Sequence, residues 1–132
     1  MQDLIENIPS VNWALSLQLA ANNHNLAKKL FIMMMISLPK EQQLINAAFK
    51  NNELQQLRDQ IHKLHGGCCY TGVSRLKHIA KHLEQEIITY NNNNTQDGYL
   101  QIINYIKILN QEIDFLTTKY NNLLQQAELL VQ

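Results

Sequence analysis

The 132-residue chain has no excess of charge of either sign: eleven Asp and Glu face eleven Lys and Arg, for a formal net charge of zero at pH 7. No basic surplus exists to hold a phosphate backbone, which argues against a nucleic-acid partner. Cysteine is scarce. The two present, Cys68 and Cys69, are adjacent and on a helix point to different faces, so a structural disulfide is not expected and a reducing cytosol is the natural compartment. Long apolar runs are missing too. The most apolar stretch, Leu30 to Leu38, is nine residues long and closed by Pro39, whereas a membrane-spanning helix needs about 20. It reads as a buried core helix, with Met33, Met34 and Met35 as flexible packing rather than ligands. The start has neither the basic residues nor the small-residue cleavage site of a signal peptide. Strand alternation and internal repeats are absent. What is abundant is amide: sixteen Asn and fourteen Gln, spread over the whole chain as a compositional bias rather than a functional tract.

Apolar residues recur at helical spacing almost throughout. Residues 1–9 read as a lead-in, with Leu4, Ile5 and Ile8 able to touch a domain spanning 10–132. Ser10 is a candidate N-cap for a short helix carrying Val11, Ala14, Leu15 and Leu19 around Trp13, ended by Ala21-Asn22-Asn23. A second helix follows from about His24 to Ser37, through Leu26, Leu30, Phe31, Met33, Met34 and Ile36. Pro39 suits the first turn of a third, with Leu44, Ile45, Ala48 and Phe49 inward and Glu41 near its positive end. After Asn51-Asn52 a helix is expected from about Glu53 to Tyr70, then one from a Ser74 cap through Leu76, Ile79, Ala80, Leu83, Ile87 and Tyr90. Asn91 to Asn94 reads as a loop. The last helix, from Thr95 to about Leu130 with Ile102, Ile106, Leu109, Ile113, Leu116, Tyr120 and Leu123 at helical steps, would be about 50 Å long, so its end should project past the bundle or fray. The fold class is therefore all-α: an antiparallel four-helix bundle with an additional short N-terminal helix.

One stretch looks built for something besides folding. In Ile61-His62-Lys63-Leu64-His65-Gly66-Gly67-Cys68-Cys69 the stripe Leu54, Leu57, Ile61, Leu64, Cys68 faces the core, which turns His62 to solvent on the flank of Arg58, Gly66 and Cys69. Gly66 sits where a helix prefers Ala by about 1 kcal/mol. Four residues after His62, it clears space for another surface to approach the ring. The alternative is a helix that simply ends at Gly66 with a glycine cap. Against it, Cys68 continues the stripe and Gly72 offers a better-placed stop.

His62-x-x-His65-Gly66 with a later Gly72 resembles the signature of histidine-containing phosphotransfer (HPt) domains. The likeness is nearest to the C-terminal HPt modules of BarA/GacS-type tripartite hybrid sensor kinases, where Ile-His-Lys-Leu-His-Gly and Tyr-x-Gly-Val also occur. It runs from about Trp13 to Ile88 and takes in Leu17 to Asn22 and the Met-rich run ending in Leu38-Pro39. The resemblance implies that His62 accepts a phosphoryl group from a receiver domain's aspartyl phosphate and passes it to a response regulator, with Gly66 giving access. It implies a phosphorelay intermediate with no kinase activity of its own, and no cofactor beyond the Mg²⁺ expected on the receiver. The setting implied is cytoplasmic, either as a free protein or as the C-terminal domain of an inner-membrane sensor kinase. His65 stands where the family usually has Lys. Glu84, twenty-two residues after His62, falls where relatives tend to place Gln or Glu and would accept a hydrogen bond from the ring's far nitrogen.

The expected docking face joins Arg58, His62, His65, Gly66 and Cys69 to Lys77, Lys81 and Glu84 on the next helix. The plainer reading makes Lys81 and Glu84 a solvated face. Two other classes stand beside the phosphorelay. One is a non-catalytic adaptor bundle that binds through its long last helix. The other is a small zinc module using Cys68 or Cys69 with His78 and His82, whose cysteines lack the usual spacer and whose histidines should lie on a solvated face. A Cys69 nucleophile paired with His65 or His62 lacks both a carboxylate and an oxyanion donor.

Overall fold

The computed structural model describes the backbone of residues 2–131 and the side chains of residues 4–126. Among the described residues it holds six helices and no strand: α1 (Gln2–Glu6), α2 (Trp13–Leu19), α3 (His24–Lys50), α4 (Leu54–Gly67), α5 (Ser74–Asn93) and α6 (Gln96–Val131), with a 3-10 turn at Cys68–Tyr70. The connections between α3, α4, α5 and α6 are short, so successive helices run antiparallel. α3 packs on α4, α4 on α5, α5 on α6 and α6 on α3, which closes a four-helix ring. Its centre is filled by Phe31, Leu38 and Ile45 of α3, Leu57, Ile61 and Leu64 of α4, Leu83 and Ile87 of α5, and Ile102, Tyr105, Leu109 and Ile113 of α6. No described helix is long and apolar enough to cross a membrane.

The helix expected to begin at Pro39 does not exist separately: α3 runs 27 residues straight through it. Proline removes one hydrogen bond, back to the Met35 carbonyl. Yet Phe31, Met34, Met35, Leu38, Ile45 and Ala48 are buried on both sides of Pro39, which itself faces solvent. Continuous burial against α4 and α6 outweighs one lost bond. The same phasing leaves Met33, Ile36, Leu26 and Leu44 exposed, although helical spacing suggested they turn inward. Amides join α3 to α6: Asn46 and Asn110 donate to each other's Oδ1 at 3.1 and 3.0 Å, and Gln42 donates to Asn110 and Asp114. Part of the amide surplus thus fixes helix register.

Helix ends differ from expectation where the partners are distant. Asn12, not Ser10, caps α2, its Oδ1 accepting from the Leu15 amide at 3.0 Å. Ser74 is the first residue of α5 rather than its cap. The Arg75 amide instead donates to the Pro9 carbonyl at 3.1 Å. The α5–α6 loop is shorter than the four asparagines suggested, because the helix continues to Asn93 and only Asn94 takes a left-handed turn (φ 50). Thr95 then caps α6, accepting from the Gly98 amide. The lead-in is held down rather than loose. Ile5 is buried, and the Arg75 side chain donates to the carbonyls of Ile8 (2.8 Å) and Glu6 (3.1 Å) while lying 3.6 Å from the buried Glu112.

Candidate functional site

α4 buries Leu57, Ile61 and Leu64 and so presents the opposite flank to water. His62 lies there with its side chain 75% exposed, while Glu84 reaches across from α5 with only 18% of its side chain exposed. The His62 Nδ1 lies 2.7 Å from Glu84 Oε2 and 3.2 Å from Oε1. A carboxylate only accepts, so Nδ1 carries the proton, and in the neutral ring the Nε2 lone pair is left pointing outward. The second helix therefore sets the tautomer of a histidine displayed by the first.

His65 follows one turn later on the side toward α5. Its ring is half-buried, and the enclosed Nε2 has no hydrogen-bond partner. Burial holds its pKa below the ordinary histidine value; Glu84 pulls the other way, and Lys77, His62 and Lys81 reinforce the lowering. His65 is thus neutral near pH 7, not the fixed cation a lysine would be. Gly66 lies within α4, and a Cβ added there would meet no atom within 4 Å. The helix does not end at this glycine. It passes through Gly66 and Gly67 and tightens into the 3-10 turn, so Cys68 stays on the buried stripe.

Lys77 and Lys81 are exposed on α5, both within electrostatic reach of His65. Cys69 is exposed, its thiol 3.5 Å from the His65 carbonyl. Arg58 is half-buried and shares the flank only through its position on α4. The sequence pattern does not single out Tyr70, an aromatic 67% exposed immediately after Cys69. Its one signal is an aromatic ring lying off the apolar stripe.

Other constellations fare differently. Cys68 is buried, which pushes its thiol pKa far up, so the two cysteines do not converge on one site. His78 and His82 are half-buried rather than solvated: their ring centroids lie 4.2 Å apart, and His82 stacks on Tyr105 of α6. Among the described residues no group of three or more His, Cys, Asp and Glu side chains is placed to hold a metal ion.

Comparison with known proteins places this geometry. The Hpt domain family model matches residues 29–127. Over 78 residues, 59% of the chain, it is 33% identical to the signal transduction histidine-protein kinase BarA of Shigella flexneri and to that of Escherichia coli strain K12. Over 68 residues it is 34% identical to the sensor protein GacS of Pseudomonas syringae pv. syringae. Each match covers 8% of the relative, so the chain spans under a tenth of the length of these proteins. The crystal structure of the HPT domain from an Hpt sensor hybrid histidine kinase of Shewanella superposes with a TM-score of 0.60 at 24% identity, covering 83% of this chain and 95% of that one, which supports the fold. An all-α four-helix bundle whose family match takes in α4, α5 and most of α3 and α6 leads to one conclusion: the chain belongs to the Hpt domain family, the histidine-containing phosphotransfer domains of phosphorelay signalling.

Proposed function

We propose that His62 is the residue that carries the phosphoryl group, taking it from the aspartyl phosphate of one receiver domain and yielding it to the aspartate of another. The observation that carries this reading is the 2.7 Å contact from Nδ1 to Glu84 on a ring that is otherwise open to solvent. The Nε2 lone pair forms the N–P bond in line as the acyl-phosphate O–P bond breaks, and that electron pair leaves with the receiver's carboxylate. Nδ1 keeps its proton, and the ring, now cationic, stays paired with the Glu84 carboxylate. The return step reverses each change. In this reading the chain brings no cofactor, and Mg²⁺ belongs to the receiver. Gly66 leaves room for the incoming surface. Arg58, Cys69, Lys77 and Lys81 form the rim on which it settles.

Incubation with a phosphorylated receiver tests the assignment. The wild-type chain should gain an acid-labile label, His62→Gln should gain none while keeping its helical circular dichroism, and His65→Gln should still be labelled. Label retained by His62→Gln and lost by His65→Gln would reverse the roles.

A further inference from the structure

We propose that the cleft between α1, α5 and α6 binds a small primary amine, with the ammonium group held on Glu112 and the apolar body against Ile5, Ile79, Ile108 and Phe115. The cleft has a volume of about 240 Å³. Pockets for drug-sized ligands start at about 300 Å³, so the occupant is smaller than these. Its polar end is fixed by one side chain. Glu112 lines the cleft and is only 5% exposed, and its Oε2 is enclosed with no hydrogen-bond partner. A buried carboxylate oxygen left unpaired is costly, so a ligand that brings a donor to it gains what the fold leaves unmade.

Charge selects the class of ligand. Two carboxyl groups line the cleft, Glu6 and Glu112, against the single guanidinium of Arg75. That cation is already committed. Its Nε and Nη2 donate to the carbonyls of Ile8 and Glu6, and its Nη1 stands 3.6 Å from Glu112 Oε1, beyond ordinary hydrogen-bond length. Ser10 also hydrogen-bonds the Glu112 carboxyl, yet burial still holds its pKa above the usual carboxylate range. The carboxyl is short of both donors and positive charge, and an ammonium group supplies the two together. A carboxylate ligand would face two like charges, and an alcohol would leave the charge unmet. The site stands apart from phosphotransfer: Arg75 and Ile79 meet α6 from one side of α5, while Glu84 of the same helix reaches His62 on α4. An amine and a receiver can be bound at once.

Titration of the full chain with hexylamine, hexanol and hexanoate, followed by amide chemical shifts, tests this. Hexylamine should give saturable shifts at Ile5, Arg75, Ile79 and Ile108, and the other two should bind about tenfold or more weakly. Glu112→Gln keeps the shape of the side chain and removes its charge, so hexylamine affinity should fall by about tenfold. Phe115→Ala alters a wall that is already 43% exposed, leaves Glu112 in place, and should weaken hexylamine several-fold. Acidification should weaken binding to the wild type as Glu112, faced by Glu6 and Ser10 from the lead-in and Arg75 from α5, takes up its proton, and should leave Glu112→Gln unchanged. Undiminished affinity in Glu112→Gln, or hexanol or hexanoate binding as tightly as hexylamine, overturns the proposal. Shifts that never saturate and spread over the surface mean an adventitious additive only and overturn it as well, with the assignment of His62 untouched.

Discussion

Gly66 and Gly72 look alike in the sequence and serve different ends. A methyl group on Gly66 would stand in open space on a helix, so Gly66→Ala should leave stability equal or raise it by up to about 1 kcal/mol. Gly66→Gln should slow phosphotransfer well beyond the alanine variant, because the longer side chain occupies the approach to His62. Equal transfer rates for Gly, Ala and Gln, measured with one receiver, would remove the access role. Gly72 is different. A Cβ there would lie 2.1 Å from the Asn12 carbonyl oxygen and 2.7 Å from Ser16 Oγ. The chain crosses α2 at this point, with hydrogen bonds from the Asn12 amide to the Gly72 carbonyl and from the Gly72 amide to Ser16 Oγ, each 2.7 Å. Helical spacing alone marks Gly66 as a neighbour of His62. The need for glycine at 72 depends on a contact sixty residues away in sequence, which no local pattern displays. The neutral state of His65 was hidden for the same reason, since the burial and the α5 lysines that set it are tertiary.

At the scale of the element, α3 shows how packing overrides a local signal. Proline in a helix interior costs about 3 kcal/mol or more, and Pro39 is exposed to solvent. Pro39→Ala should therefore raise the denaturant midpoint, by up to about 3 kcal/mol in stability with an unchanged m-value. A loss of stability would show instead that a bend at Pro39 lets both halves of α3 reach α4 and α6. The core positions of α4, α5 and α6 were legible because their period is unbroken: Leu57, Ile61 and Leu64, then Leu76, Ile79, Leu83 and Ile87, then Ile102, Leu109, Ile113 and Leu116 are all buried. In α3 the run from Leu30 to Leu38 is apolar on every face. Periodicity then carries no phase information, and the exposure of Met33 and Ile36 had to come from the packing.

At the scale of the molecule, the Arg75 clamp ties the lead-in to α5, the helix that also carries Glu84. Beneath it, burial holds the Glu112 carboxyl above the usual carboxylate range, with Ser10 and Arg75 pulling it back down. The folded chain therefore keeps this proton to a higher pH than the unfolded chain. The stability so contributed is full below the unfolded pKa, about 4.3, and is lost as pH rises through the folded value. His65 and His78, both lowered chiefly by burial, act in the opposite sense and lose stability as pH falls through and below about 6.5. Subtracting the stability of wild type from that of Glu112→Gln isolates the carboxyl: the difference should grow in the variant's favour as pH rises above about 4.3, and a flat difference would contradict the raised pKa.

The proposed docking face would draw on two helices at once. Lys77 and Lys81 are exposed on α5 beside the His62 flank of α4. Charges at an interface rim act mainly on the encounter rate and are screened by salt. Lys77→Glu and Lys81→Glu should slow transfer from a receiver at low salt, with the gap closing at high salt. A salt-independent gap, or none, would move the contact surface elsewhere. At the centre of the proposed function, the His62 Nε2 would take the phosphoryl group because Glu84 holds the proton on Nδ1. Long-range proton–nitrogen NMR of the imidazole rings, before and after phosphorylation, tests it most directly. The expected result is a His62 ring protonated at Nδ1 in the free chain and bonded to phosphorus at Nε2 afterwards, and phosphorus on Nδ1, or on any other histidine, would contradict it.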